Sequence, residues 1–390
     1  MKKILAFLTA FVMFIIAVVG FHNILSGDLK MNNRKFGTWY NNYKDLSFNA
    51  LSQNMHEDTM PVFGSSEFRH GRRTPFHPSR VFKDSDASLM TIGGPFNQCL
   101  NHAITLGALS KQIKKKKVVL LISMTWFYKK GISKSKYALR FSEGNYMALM
   151  ENPNISKDIK KYIAKRSESL LTEDLDKLRC ASRTDDIYVR DSKSALKKKF
   201  YDFRKAYVND KDLLVMQSIM KKYKIKRNSK YPKLPKNATA PAWADLIMQA
   251  RSIPRRAMNN PYDIDSRFWN RQIKSVYERQ KGKLKDEDFS ESPEFEDLEV
   301  FLKICNEAGI KPMLITLPVN GRWYDYTGLD AKKRAKFNQK INELGEIYHA
   351  NVVDFSKYDY KPNIMKDTVH PRGEGWVRIN EAIYKFYKQN

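Results

Sequence analysis

A serine on a small-residue turn and a histidine with an acidic neighbour are the residues of this chain best suited to covalent chemistry. Gly64-Ser65-Ser66-Glu67 follows the apolar stretch Pro61-Val62-Phe63. Asp367-Thr368-Val369-His370 stands before the last apolar-periodic segment and is the only D-x-x-H in the sequence. A serine hydroxyl is a weak nucleophile until a base takes its proton. Histidine is the usual base, and a carboxylate fixes its tautomer and steadies the imidazolium. Ser65-Ser66 read alone fits an ordinary helix N-cap equally well. Placement separates the readings. A serine after the first core strand and a D-x-x-H before the last helix meet at the carboxyl edge of a parallel sheet, where open α/β sheets bind ligands. His70, about one turn beyond Ser66 and three residues after Glu67, is a rival base.

The elements that must position these residues follow from apolar pattern. Residues 61–66 and 89–94 each read as a strand running into a small-residue turn, and Val118 to Ser123 as a buried strand. Asn97 to Leu109 between them has helical character. Strand, turn, helix, strand is the βαβ pattern of a parallel sheet. Residues from about 130 to 265 change character: they are charged and helical in period, as in Ser194 to Tyr207 and Asp210 to Tyr223. Tyr231 to Trp243, with three prolines, reads as a loop. The alternating pattern then resumes, with helices at Pro293 to Ala308, Lys332 to Tyr348 and Gly375 to Tyr387. Strands are expected at Lys311 to Leu317 and Asn351 to Phe355. One α/β core therefore flanks a helical insertion.

The 390 residues are 42% hydrophobic and 12% aromatic, enough to bury a core and to exclude overall disorder. Cys99, Cys180 and Cys305 exclude a disulfide scaffold and have no metal-ligand spacing. No metal and no soluble cofactor is expected. Lys2 and Lys3 precede an apolar run from Ile4 to Phe21, close to the about 18–20 residues that span a bilayer, and no A-x-A-like cleavage site follows. The expectation is an uncleaved single-pass anchor over residues 1–25, with the N-terminus inside and the rest extracellular. Residues 26–60 then form a juxtamembrane stalk that packs on the body or the membrane interface, and residues 61–390 the catalytic domain. The net charge is +28, of which only +2 lies in residues 1–31. A basic body outside a membrane points to anionic lipid headgroups or a surface phosphate polymer rather than to nucleic acid. Single runs such as Lys114–Lys117 are solvated faces; the total is the signal.

The ordered blocks resemble those of SGNH-type hydrolases and acyltransferases. Gly64-Ser65-Ser66 stands where those enzymes carry Gly-Asp-Ser, Gly93-Gly94 forms a second block, and Asp367-x-x-His370 the last. Further segments resemble the DltD family, the D-alanine transfer proteins of Gram-positive bacteria. These are Phe63-Gly-Ser-Ser-Glu67, Ile122-Ser-Met-Thr-Trp-Phe127, Ser292-Pro-Glu-Phe-Glu-Asp-Leu298, Pro318-Val-Asn-Gly-Arg-Trp-Tyr-Asp325 and Asp367-Thr-Val-His370. The third block departs from the family, with Met124-Thr125 in place of Pro-Gln.

The resemblance implies a three-layer α/β/α, SGNH-like (flavodoxin-like) core with a parallel sheet. It implies an acyltransferase in which Ser66 carries D-alanine as an ester and releases it to a glycerol hydroxyl of lipoteichoic acid, with His370 as base and Asp367 orienting it. Gly94, Thr125 and Asn97 are the candidate oxyanion donors, together with the Ser66 N–H. Ser65, Glu67, Trp126, Trp323 and Tyr324 are candidate substrate contacts. The implied partners are a membrane-bound O-acyltransferase of the DltB type and a D-alanyl carrier protein whose phosphopantetheine thioester is the ultimate donor. Two other readings use the same residues: an esterase with the same triad, and an anchored scaffold that gathers these partners without catalysis. The altered third block favours the scaffold.

Overall fold

In a computed structural model, which describes residues 2–24, 28–234, 237–253 and 260–389, five strands form one all-parallel sheet among the described residues. They are β1 (Thr59–Phe63), β2 (Ser88–Ile92), β3 (Lys117–Ile122), β4 (Lys311–Thr316) and β5 (Asn351–Asp354), in the spatial order β2-β1-β3-β4-β5. The order in which successive strands are added across the sheet reverses between β1 and β3, which pair in parallel, Val62 with Val119 and Phe63 with Leu120. In doubly wound sheets the crevice beyond the carboxyl ends at such a point binds ligands. Ser66, Gly94 and Thr125 all lie just past the ends of β1, β2 and β3.

Strand side chains alternate between two cores. Met60, Val62, Leu89, Val119, Leu121 and Ile315 pack with Trp376, Ile379 and Ile383 of the final helix, Gly373–Lys388. Phe63, Met90, Ile92, Leu120 and Leu314 pack with the helices Cys99–Leu109, Glu294–Glu307 and Ala331–Ile347 on the other face. Helices on both faces leave β1, β2 and β3 wholly buried, and in β3 this gives the continuous apolar run Val118–Ile122, while β2 buries Ser88 and Thr91 among its apolar residues.

The helix-rich stretch joins β3 to β4. Ser194 to Tyr207 and Asp210 to Tyr223 are not two helices but one, Ala195–Lys222, capped by the Ser194 side chain. The segment 208–210 contains no proline or glycine, so nothing breaks it. After β4 a short helix, Gly321–Tyr326, follows; the Asn320 side chain accepts a hydrogen bond from the Trp323 N–H at its start.

The N-terminal helix, Lys2–Ile24, forms where the anchor was expected, with Ile4, Phe7 and Phe14 65%, 69% and 64% exposed. Among the described residues, however, no helix is long and apolar enough to cross a membrane, so the single-pass anchor is not carried by the fold. The boundary between anchor and stalk lies outside the described residues. Residues from Leu29 onward are integral to the body: Leu29, Phe36, Ala50 and Leu51 sit in the main core. A Cβ on Gly37 would lie 2.1 Å from the Leu89 carbonyl oxygen of β2, so only glycine lets the backbones approach this closely.

Candidate active site

Ser66 opens a single 3-10 turn immediately after β1. The turn is shaped from beneath. The Ser65 N–H donates to the buried Glu67 carboxylate at 2.5 Å, and the Ser65 hydroxyl donates to the Gly94 carbonyl at 3.1 Å. The Gly64 N–H donates to the Ile92 carbonyl at 3.0 Å, extending the β1–β2 ladder. The Gly64 carbonyl in turn faces Gly93, where φ is +143° and a Cβ would come within 1.8 Å of it. Both the backbone angle and the contact demand glycine. Gly93→Ala is therefore expected to destabilise the protein by about 3 kcal/mol or more, measured by chemical denaturation. An effect below about 1 kcal/mol would mean that the two turns do not touch.

The two sequence-distant parts meet here. Ser66 Oγ lies 2.9 Å from His370 Nε2. His370 Nδ1 lies 2.9 Å from Asp367 Oδ2 and 3.0 Å from Oδ1. Asp367 Oδ1 also accepts from the Val369 and His370 N–H groups at 3.0 and 2.9 Å. Burial alone would raise the Asp367 carboxyl, but the His370 ring and these N–H groups hold it below the usual range. An ionised Asp367 keeps the proton on Nδ1 and leaves the Nε2 lone pair facing the serine.

The His370 loop is clamped from several sides. The Lys366 N–H donates to the His370 carbonyl at 2.9 Å, and the Asp265 N–H to the Lys366 carbonyl at 2.9 Å. The Asn320 N–H donates to the Thr368 carbonyl at 3.0 Å, while its side-chain amide reaches the Tyr262 carbonyl at 2.6 Å. Asn320 is thus a positioning residue that sequence reasoning missed, although it lies within the Pro318–Asp325 block.

His70 does not compete for the serine. Its ring stacks on His370, with centroids 3.6 Å apart and planes 10° apart. Burial, and then the neighbouring His370, push its pKa down to about 4, so it stays neutral near pH 7. His70, Asp367 and His370 bring ligand atoms within 4.8 Å of one another. Parallel stacked rings direct their in-plane lone pairs side by side rather than at one ion, and both His370 nitrogens are already engaged.

Of the oxyanion candidates, Gly94 is the one whose donor is not engaged elsewhere. Among the described residues neither its N–H nor that of Ser66 has a partner. The Asn97 side chain is spent on buried Asp45, and the Thr125 hydroxyl is shared with Ser123 at 2.9 Å. Arg140, from the helix Lys134–Arg140, was not foreseen. It is buried, paired with Asp45, and its guanidinium would lie 3.0 Å from a Cβ on Gly94.

All five candidate substrate contacts are buried. Ser65 and Glu67 build the serine turn, and the Trp126 ring centroid sits 5.8 Å from that of His102. Trp323 packs edge-on against Tyr262, and Tyr324 is fully enclosed beside the Asp367 charge. These positions are supports beneath the site. Glu294 of the Ser292–Leu298 block is likewise structural: its carboxylate accepts from the Cys99 N–H at the start of the helix Cys99–Leu109. Cys99 itself is buried, and burial raises its thiol well above the ordinary value.

His77 holds the loop that follows Ser66. Its Nδ1 accepts from the Ser79 N–H at 3.3 Å, leaving Nε2–H to donate to the Phe68 carbonyl at 3.1 Å. Burial lowers His77 from 6.5 to about 4 and His102 to about 3. The stability each contributes as a neutral ring is fully present above pH 6.5 and is lost as pH falls through the folded value. NMR titration is expected to show neither ring protonating between pH 5 and 8. A midpoint near 6.5 for His77 would mean that its ring is not held in this way.

A profile of the family described as DltD protein matches residues 33–388. Protein DltD of Bacillus subtilis (strain 168) is 32% identical over 345 residues, covering 84% of this chain and 82% of that protein. Protein DltD of Staphylococcus aureus (strain NCTC 8325 / PS 47) is 24% identical, with 84% and 81% covered. That of Lacticaseibacillus rhamnosus is 25% identical, with 86% and 78% covered. Both the serine turn and the His370 loop fall inside the matched span, and the chain belongs to the DltD family.

Proposed function

We propose that this chain transfers D-alanine to lipoteichoic acid on the outer face of the cell membrane, through an ester on Ser66. The observation that supports this most is the hydrogen-bonded line Ser66–His370–Asp367 at 2.9 Å per step, past the carboxyl ends of the strands. His370 Nε2 takes the Ser66 proton as Oγ attacks the D-alanyl carbonyl carbon. The negative charge that develops on the carbonyl oxygen falls to the Ser66 and Gly94 N–H groups. Collapse expels the donor's leaving group, which takes the proton from His370. A glycerol hydroxyl then gives its proton to His370 and attacks the ester carbon, and the Ser66 oxygen leaves with that proton. Asp367 keeps the ring in one tautomer throughout. The neutral His70 face lets the imidazolium form without a second positive charge against it.

The SGNH-like fold, the single-pass anchor and an extracellular body belong to the same reading, supported by Lys2-Lys3 and the apolar run after them. So do the DltB-type O-acyltransferase and the carrier protein as upstream donors. A net charge of +28 suits a polymer with one negative charge per unit and an anionic membrane surface. The test is ester-linked D-alanine in cells whose own copy is deleted. Complementation by the wild type should restore it and Ser66→Ala should not. Restoration by Ser66→Ala at equal protein level would replace catalysis by the scaffold reading.

A further inference from the structure

A second feature lies directly behind the base. The chain from Ser66 continues into Arg69 and His70 and then a tight turn, Gly71-Arg72-Arg73-Thr74. The Thr74 N–H and hydroxyl both donate to the Gly71 carbonyl at 2.8 Å, which puts Arg72 and Arg73 at the two central positions. Gly71 has φ +74°, and a Cβ there would approach Trp376 Nε1 at 3.0 Å, so the turn is seated against the final helix. This turn, Arg69, His70 and Lys366 enclose an open cavity of about 510 Å³, within the size range of ligand sites, about 300–1,000 Å³.

The cavity has one sign of charge. Arg69, Arg72, Arg73 and Lys366 line it, and no carboxylate does. Elsewhere arginines bridge acids: Arg34 to Asp58, Arg166 to Asp297, Arg251 to Glu374 and Arg334 to Asp359. Among the described residues none of the four cavity cations has an ion pair or a side-chain hydrogen bond. Like charges gathered without a counterion repel one another, and an anion relieves that repulsion.

His70 is shared between this cavity and the triad. One face of its ring stacks 3.6 Å from His370, whose Nε2 is 2.9 Å from Ser66 Oγ. The cavity and the base therefore share one residue, His70. In a glycerol phosphate unit, one oxygen and two carbons separate phosphorus from the neighbouring hydroxyl. A phosphate held in this cavity therefore places that hydroxyl on the side of the triad that His70 forms.

We propose that Arg69, Arg72, Arg73 and Lys366 form a subsite for a phosphodiester of the acceptor chain, which brings an adjacent hydroxyl to the Ser66 ester. This deepens the acyl-transfer reading and rests on it for the identity of the acceptor. Arginine forks suit phosphate oxygens because each can donate two parallel hydrogen bonds.

The test uses the full chain in neutral detergent and titration calorimetry at two salt concentrations. The probes are a short soluble oligo(glycerol phosphate), a neutral oligoglycerol of equal length, and phosphatidylglycerol vesicles. Wild type and Ser66→Ala should bind the oligo(glycerol phosphate) alike, more weakly at higher salt, and neither should bind oligoglycerol. Two lost charge-assisted contacts in R72Q/R73Q should weaken oligo(glycerol phosphate) binding by about 10-fold or more. K366Q, from the separate His370 loop, should weaken it several-fold. Vesicle binding should change far less. Unchanged oligo(glycerol phosphate) affinity in both variants would overturn the proposal. So would an equal loss for vesicles, which would assign the cavity to lipid headgroups. If Ser66 forms no ester while oligo(glycerol phosphate) binding still depends on Arg72 and Arg73, the acyl-transfer reading falls and the phosphodiester site stands.

Discussion

Ser66→Ala is expected to lower D-alanyl transfer by about 10⁴-fold or more, with KM for the acceptor nearly unchanged. In the proposed mechanism the hydroxyl is the group that forms the ester. Without it His370 can activate only water or the acceptor directly, and the covalent route is closed. The neighbouring hydroxyl cannot substitute, because Ser65 Oγ is buried and donates to the Gly94 carbonyl. Ser65→Ala is the informative control: it removes one hydrogen bond, worth about 1 kcal/mol, and should cost stability and some rate but leave the ester intact. Stability should hardly change in Ser66→Ala, since Ser66 is half-buried and its hydroxyl bonds only His370. Equal transfer by Ser66→Ala and wild type would remove the covalent mechanism.

Asp367→Asn should be almost as damaging, at about 10³–10⁴-fold in kcat. Asp367 Oδ1 accepts from the Val369 and His370 N–H groups as well as from the His370 ring. An asparagine can keep its oxygen on those backbone donors, which leaves its NH₂ toward Nδ1. Nδ1 must then accept, the ring proton moves to Nε2, and Nε2 presents a proton rather than a lone pair to Ser66. The base is lost while the fold survives, so kcat falls with little change in KM. A drop of tenfold or less would mean that Asp367 supports the loop but does not set the tautomer. Asn320→Ala, which loosens the same loop from Thr368 without touching the ring's proton, separates positioning from tautomer control.

The parallel sheet was legible because its strands are short, largely apolar segments that run into small-residue turns, most plainly Val118 to Ile122 between Lys117 and Ser123. The serine and the Asp-x-x-His pair were legible because turns after strands carry exposed polar groups, and chain order placed them at one edge. What pairing of distant side chains creates was not legible. Arg140 and Asp45 meet in the interior from segments 95 residues apart. Neither residue type predicts burial, since an isolated charge there costs several kcal/mol and is tolerated only through its partner. The same holds for the His70–His370 stack: His70 reads as a base by spacing, but its ring plane and burial make it a neutral wall. Trp126, Trp323 and Tyr324 read as contacts because they follow strands. Packing against Tyr262 and His102 encloses Trp323 and Trp126 instead, a balance of burial that local sequence does not encode.

Everything in the proposed reaction depends on acylation of Ser66. The most direct measurement is the intact mass of the full chain after exposure to a D-alanyl thioester, or to an activated serine reagent, with Ser66→Ala treated identically. One added group is expected on the wild type, located on the peptide containing Ser66, and none on Ser66→Ala. An unmodified wild type under conditions that label a known serine esterase, with the O-acyltransferase partner supplied, would contradict it, as would an equal adduct on both proteins.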